Sequence, residues 1–186
     1  MRSHRCLISC LCILAATGTG CSDVARRAQS EPETITNADV AQNQPVVHSA
    51  SFAMQDVDRA GQLAGGIYGV EGNAWRWTAG DFAVVLATPR GASSHGAHLV
   101  LAFNVPDVII RRTGPLTLSA YVNGAEVGAR TYSTAGSQNF SAVVPAALLK
   151  ESPAGVDFHL DKRVPRGVLE VRELGIVAVS VGLDSQ

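Results

Sequence analysis

Side chains with chemistry to offer are spread thinly along this chain. Its two tryptophans, Trp75 and Trp77, lie in the glycine-punctuated stretch G-G-I-Y-G-V-E-G-N-A-W-R-W-T. Two apart on an extended strand, they project to one face, with Arg76 between them on the other. An indole is a broad apolar plate with a polar edge. The pair therefore suits a stacking platform for sugar rings, with Arg76 or Glu71 supplying hydrogen bonds at its rim. The competing reading makes them plugs at one end of a sandwich, because large aromatics on an alternating strand ordinarily serve the core. The balance favours the core for at least one of them, Trp77 first, since it adjoins the strand that Phe82 begins. Glu71 and Arg172 carry opposite charges and are expected to pair across neighbouring strands, as a structural ion pair before a ligand contact.

The other reactive types form no constellation. His95 and His98 are three apart, but neither a cysteine nor an H-E-x-x-H or D-x-D-x-D-G pattern accompanies them, so a metal is not expected. Ser93 and Ser94 lie in G-A-S-S-H-G, which is not a G-x-S-x-G nucleophile elbow. Glycoside hydrolysis needs two carboxylates about 5–10 Å apart. Among Glu71, Asp81, Glu170 and Glu173 no spacing identifies such a pair, and His159 reads as a strand-face residue. The expectation is a noncatalytic protein with no cofactor, with a small hydrolase as the remote alternative.

Composition sets the frame for those residues. The chain has 186 residues, 46% hydrophobic and 17% charged, which allows one core and some tail. From Ala60 onward ten basic residues balance ten acidic ones, so no cationic excess recruits phosphate backbones and nucleic acid is not an expected partner. All four cysteines, Cys6, Cys10, Cys12 and Cys21, precede residue 22, so the folded part must cohere without disulfide or zinc.

Arg2, His4 and Arg5 precede an apolar run over residues 6–16 and then Thr17-Gly18-Thr19-Gly20, the charge, apolar and small-residue order of an export signal. The run is shorter than the roughly 20 residues that span a bilayer. Its end, L-A-A-T-G-T-G-C, resembles the lipobox of bacterial lipoproteins, with Gly18 where that family prefers leucine. The resemblance implies cleavage after residue 20 and lipidation of Cys21, anchoring the chain to a bacterial membrane. Ser22 resembles the outer-membrane choice if the host has two membranes. Ordinary secretion and an uncleaved anchor are the alternatives. Residues 21–59 are polar without sustained periodicity and read as a disordered tether. Within them and just beyond, residues 51–62 fit either a short helix or an edge strand.

From residue 60 to 186 short strand patterns alternate with turn signals. Residues 82–88 and 97–103 are expected to form a hairpin. Residues 116–122 and 126–132 flank Asn123-Gly124, the strongest short hairpin signal, because both central residues of a type I′ turn need positive φ. Residues 138–144, 156–160 and 174–183 follow, the last with Val177, Val179, Val181 and Leu183 on one face. Residues 145–149 fit one helical turn, and no longer helical period is visible. Eight or nine short strands without crossover helices predict an all-β, antiparallel β-sandwich or jelly roll.

Several segments taken in order, Tyr68 to Glu71, Trp75 to Thr78, Phe82 to Leu86, Leu118 to Gly124 and Glu170 to Gly175, resemble the galactose-binding-like and carbohydrate-binding jelly-roll modules of bacterial surface-glycan proteins. Glu170 stands where that family usually has aspartate, and Ile67 where a second aromatic is common. The resemblance implies a jelly roll that binds glycan or another envelope component, with Glu71, Trp75, Arg76, Trp77 and Arg172 as ligand-binding candidates. The alternative is a structural or protein-interaction lipoprotein with no small-molecule site.

Overall fold

The computed structural model describes residues 47–168 and 170–186. The signal, Cys21 and the tether up to residue 46 lie outside the described residues.

Nine antiparallel strands are present among them: β1 (Ser51–Ala53), β2 (Leu63–Glu71), β3 (Trp75–Leu86), β4 (Ala97–Val105), β5 (Leu116–Val122), β6 (Ala125–Tyr132), β7 (Gly136–Val144), β8 (Ala154–Leu160) and β9 (Val177–Ser185). Hydrogen bonding runs β6-β5-β8-β3-β9-β4-β7, with β1 added to β9 and β2 to β3. The link between the halves is β3. One of its edges carries β2, while the other pairs with β9 at Arg76 and Trp77 and with β8 from Asp81 to Leu86. The strands thus divide into β1-β9-β4-β7 and β3-β8-β5-β6, two antiparallel sheets connected as in a jelly roll, with β2 as an extra edge strand.

Alternation explains the packing. In β4, Leu99, Leu101, Phe103 and Val105 turn inward, and in β5 Leu116, Leu118, Ala120 and Val122 do the same from the other sheet. Phe82 and Phe158, opposite each other on β3 and β8, stack with centroids 4.9 Å apart. Phe103 meets Tyr132 edge-on at 5.0 Å, and the Tyr132 hydroxyl donates to the Asn139 carbonyl. A two-turn helix, Asp107–Thr113, closes one end of the sandwich with Ile109 fully buried.

Four expectations need correction. Residues 82–88 and 97–103 do not form a hairpin: β4 lies in the opposite sheet and pairs with β7 and β9. The helix Asp107–Thr113 was not visible as a period because it is only two turns long. The folded part also begins before residue 60. Phe52 and Met54 are buried, β1 pairs with β9, and the buried Gln62 side chain accepts from Ser49 N–H and donates to the Ser49 and Val85 carbonyls. Residues 51–62 hold both of the elements left open for them, a strand and then the 3-10 helix Val57–Gln62. Finally, Val177, Val179, Val181 and Leu183 do not share a face. Ala102 pairs with Ser180 and Phe103 with Ala178, so Val179 is the extra residue of a β-bulge. The bulge leaves Val181 and Leu183 in the core and turns Val177 and Val179 outward.

Candidate functional site

The outer face of the β4-β9 sheet carries an apolar groove. In β3 the core-facing residues are Arg76, Thr78, Gly80, Phe82, Val84 and Leu86, so Trp75 and Trp77 point away from the core. Trp77, Val177, Asn104 and Ser137 stand directly opposite one another on β3, β9, β4 and β7, a row crossing four strands. Trp75, Val179 and Glu71 complete a groove of 460 Å3. Trp77 is half-buried and packs against the rim of the core, whereas Trp75 is 38% exposed. The expectation of a buried plug is therefore met by neither indole in full, although Trp77 comes closer.

A tight turn fixes the more exposed indole. Gly72 and Asn73 both have positive φ, 56° and 52°, and the Ala74 N–H donates to the Glu71 carbonyl, as a type I′-like turn requires. A Cβ on Gly72 would lie 2.5 Å from Trp75 Cη2 and 2.9 Å from Cζ2 and Cζ3. The indole thus lies on the bare backbone of its own turn. One side of the ring is held, so little rotamer freedom is left to lose when something stacks on the other.

Arg76 is not a rim residue. It is 7% exposed on the core side of β3, where its Nε donates to the Met54 carbonyl at 2.7 Å and its NH1 to the Tyr68 carbonyl at 3.0 Å. These bonds tie the segment after β1 and the middle of β2 to the strand carrying both indoles. Arg172, by contrast, does meet Glu71, at 2.6 Å from NH1 to Oε1. Its Nε and NH2 also grip both oxygens of Glu170 at 2.9 Å, and its guanidinium lies over the Tyr68 ring, 5.3 Å from the centroid. The side-chain hydrogen bonds from Arg172, and then its backbone N–H, hold the Glu170 carboxyl at about 2, while Glu170 first and Glu71 second raise the Arg172 guanidinium above its usual range. Arg172 is thus engaged by two carboxylates and does not line the groove. Glu71 faces both ways, lining the groove with one carboxylate oxygen spent on Arg172.

Of the candidates named from sequence, Glu71, Trp75 and Trp77 meet in one groove, Arg172 stands behind Glu71, and Arg76 lies on the opposite face. Asn104, Ser137, Val177 and Val179 were missed. They reach the indoles through long-range register and a bulge, neither of which has a local sequence signal.

A second cleft, of 640 Å3, opens on the outer face of the β8-β3 sheet. Here Ser119, His159 and Asp81 lie opposite one another on β5, β8 and β3, as do Tyr121, Asp157 and Ala83 one step along. His159 Nδ1 is 2.5 Å from Asp81 Oδ1. No hydrogen bond joins Ser119 to His159 among the described residues. Those residues also contain no group of three or more His, Cys, Asp or Glu side chains placed to hold a metal ion.

The class that the topology defines is an antiparallel β-sandwich with jelly-roll connectivity. No family model and no curated protein matches the chain. Among solved structures it is similar to an acetyl xylan esterase, Est2A, from the rumen bacterium Butyrivibrio proteoclasticus, at 11% identity and a TM-score of 0.44, covering 73% of this chain. The chain spans 32% of that esterase's length. It is also similar to TmCBM27, a carbohydrate-binding module described for specific mannan recognition, at 11% identity and a TM-score of 0.43, covering 75% of this chain and 98% of the module.

Proposed function

We propose that this chain is a noncatalytic, membrane-anchored envelope lipoprotein whose β-sandwich binds glycan through the indole groove. One observation carries the glycan reading: the exposed Trp75 ring, seated on Gly72, shares an outer sheet face with Trp77, Val177 and Val179 and a polar margin of Asn104, Ser137 and Glu71. A sugar ring has an apolar face and an equatorial belt of hydroxyls. It matches a plate with hydrogen-bonding groups at its edge, and convergent polar groups around an apolar floor are what orient a ligand. The lining contains neither lysine nor arginine, which favours a neutral sugar over a phosphorylated one. Anchoring rests on the lipobox-like L-A-A-T-G-T-G-C before Ser22 and makes Cys21 the lipidated residue.

The test is titration of neutral oligosaccharides into the domain while tryptophan emission is followed. Binding should shift emission to the blue, protect it from a neutral quencher, and vanish in a folded Trp75→Ala variant. An unchanged spectrum across a broad neutral glycan panel would overturn the glycan reading, leaving an interaction domain without a small-molecule site. Metabolic labelling with a fatty-acid analogue tests the anchor separately: the wild type should be tagged and Cys21→Ser should not.

A further inference from the structure

We infer that the free edge of β7 is an interface, and that its partner is a second copy of this chain. Four strands, β1, β2, β6 and β7, have a single hydrogen-bonded neighbour each. Open edges recruit other strands, and proteins blunt them with brevity, irregularity, proline or charge. Three of the four are blunted. β1 has three residues, β2 slips register three times against β3, and β6 carries Glu126 and Arg130 and a register shift of its own. β7 has none of these defences: its nine residues, G-S-Q-N-F-S-A-V-V, include no charge and no proline and pair with β4 without a shift.

The Tyr132 hydroxyl donates to the Asn139 carbonyl from outside the β4 ladder, so that carbonyl points to the open edge. Direction alternates along a strand, which turns the N–H and C=O groups of Ser137, Asn139, Ser141 and Val143 outward together. Among the described residues no backbone hydrogen bond beyond β4 reaches them. The Asn139 oxygen keeps a second lone pair for another donor. The two clefts described above touch β7 only at Ser137, so a foreign extended peptide would be held by its main chain alone, without the side-chain pockets that make such binding specific. A second β7 fits better. Antiparallel pairing about a two-fold axis at Phe140 sets Ser137 opposite Val143 of the partner subunit and Asn139 opposite Ser141 of the partner subunit, which engages every outward residue in about eight hydrogen bonds. No like charges meet, because the strand has none. On the second sheet β6 adds charge complementarity. A Cβ on Gly128 would lie 3.4 Å from Ala142 Cβ and 3.8 Å from Phe140 Cζ, so Gly128 lies beside the same axis. Glu126 and Arg130 flank it two residues to either side, and the two-fold brings Glu126 to the side occupied by Arg130 of the partner subunit, once in each copy. The exposed Val143 of the partner subunit would then sit beside Ser137, at the open end of the row that starts at Trp77.

The interface is independent of what the indole groove binds, and no sugar enters its test. Sedimentation velocity follows the chain from residue 21, with Cys21→Ser removing the anchor, between about 1 μM and about 1 mM. The mass should double as concentration rises. Asn139→Lys makes two lysines diagonal neighbours across the axis and should weaken the dimer at least about tenfold, while a dilute sample keeps the wild-type melting temperature. Asn139→Lys combined with Ser141→Glu sets each lysine directly opposite a glutamate of the other copy and should restore the dimer. That rescue is specific to the register. A wild type that stays monomeric to about 1 mM overturns the proposal, as does a dimer that survives Asn139→Lys undiminished, or a double variant that remains as monomeric as the single one.

Discussion

Replacing Gly72 by alanine tests whether the turn holds Trp75 in place. The backbone there is left-handed, φ 56°, which costs an L-residue about 1–2 kcal/mol. The added methyl would sit 2.5 Å from Trp75 Cη2, whereas carbon atoms rest at about 3.5–4.0 Å, so the ring must lift by roughly 1 Å or swing away. Three backgrounds separate the two effects. Gly72→Ala should cost about 2–3 kcal/mol in urea unfolding, backbone and ring clash together, redden Trp75 emission and weaken glycan binding about tenfold or more. Gly72→Asn tolerates the backbone but keeps the Cβ clash, so it should lose binding with a smaller loss of stability. In a Trp75→Ala background Gly72→Ala should cost only the backbone component, giving a coupling of at least about 0.5 kcal/mol. Additivity within about 0.3–0.5 kcal/mol, together with unaltered Trp75 emission in Gly72→Ala, would refute the idea that the turn seats the indole.

Three further outcomes follow from specific contacts. The Glu170 carboxyl is lowered from 4.5 to about 2 by Arg172, so the clamp is at full strength above pH 4.5 and is lost as pH falls through about 2; a side-chain NMR titration midpoint near 4.5 would refute it. Arg76→Met keeps bulk but leaves the Met54 and Tyr68 carbonyls without their donor, and should cost about 2–4 kcal/mol in urea unfolding; a loss under about 0.5 kcal/mol would show those bonds to be idle. A chain starting at residue 47 should fold like the full one, whereas a start at residue 60 removes buried Phe52 and Met54 at about 5 kcal/mol or more, and a cooperative melt of the shorter piece would contradict the β1 contribution.

What the sequence made legible follows locality. Alternation in residues 97–103, 116–122 and 156–160 set their core faces, and Asn123-Gly124 marked the β5-β6 hairpin, with φ 49° and 81° as a type I′ turn requires. The non-local elements stayed hidden. A jelly roll sends β3 and β4, neighbours in sequence, to opposite sheets, which defeats the rule that consecutive strands usually pair. The bulge at Val179 reverses the parity of β9 midway, and a period of two cannot register that from one strand alone. Parity did hold the answer for the indoles. With residues 75–86 as one strand, Phe82, Val84 and Leu86 inside put Trp75 and Trp77 outside and Arg76 inside. Beginning the strand at Phe82 broke that count and left the burial of the pair open. Glu71 and Arg172, 101 residues apart, were paired from their opposite charges and their places in the two most distinctive segments, but Arg172 lies in the loop before β9 rather than on a neighbouring strand, and Glu170 as its second, bidentate partner came only with the fold.

The ends of the sandwich bear on how the groove would meet a ligand. Ser51 pairs with Gly182 and Ala97 with Ser185, so the incoming chain and the C-terminus leave from the same end. Trp77 pairs with Val177 and Asn104 with Ser137 at the other, beside the turn at Gly72 and the Arg172 clamp. From Leu86 to Trp75, β3 alone spans about 36 Å at roughly 3.3 Å per residue, so the indoles stand nearly a full strand length from where residue 47 joins the domain. The glycan reading predicts a groove that binds its ligand without a membrane. If the groove instead served lipid headgroups, membrane binding would depend on Trp75 even after Cys21→Ser, and vesicle flotation of the Cys21→Ser and Cys21→Ser/Trp75→Ala proteins distinguishes the cases. Neither should float if the groove takes glycan instead. Flotation of the single variant that the second substitution abolishes would place the groove on the bilayer and sink the argument.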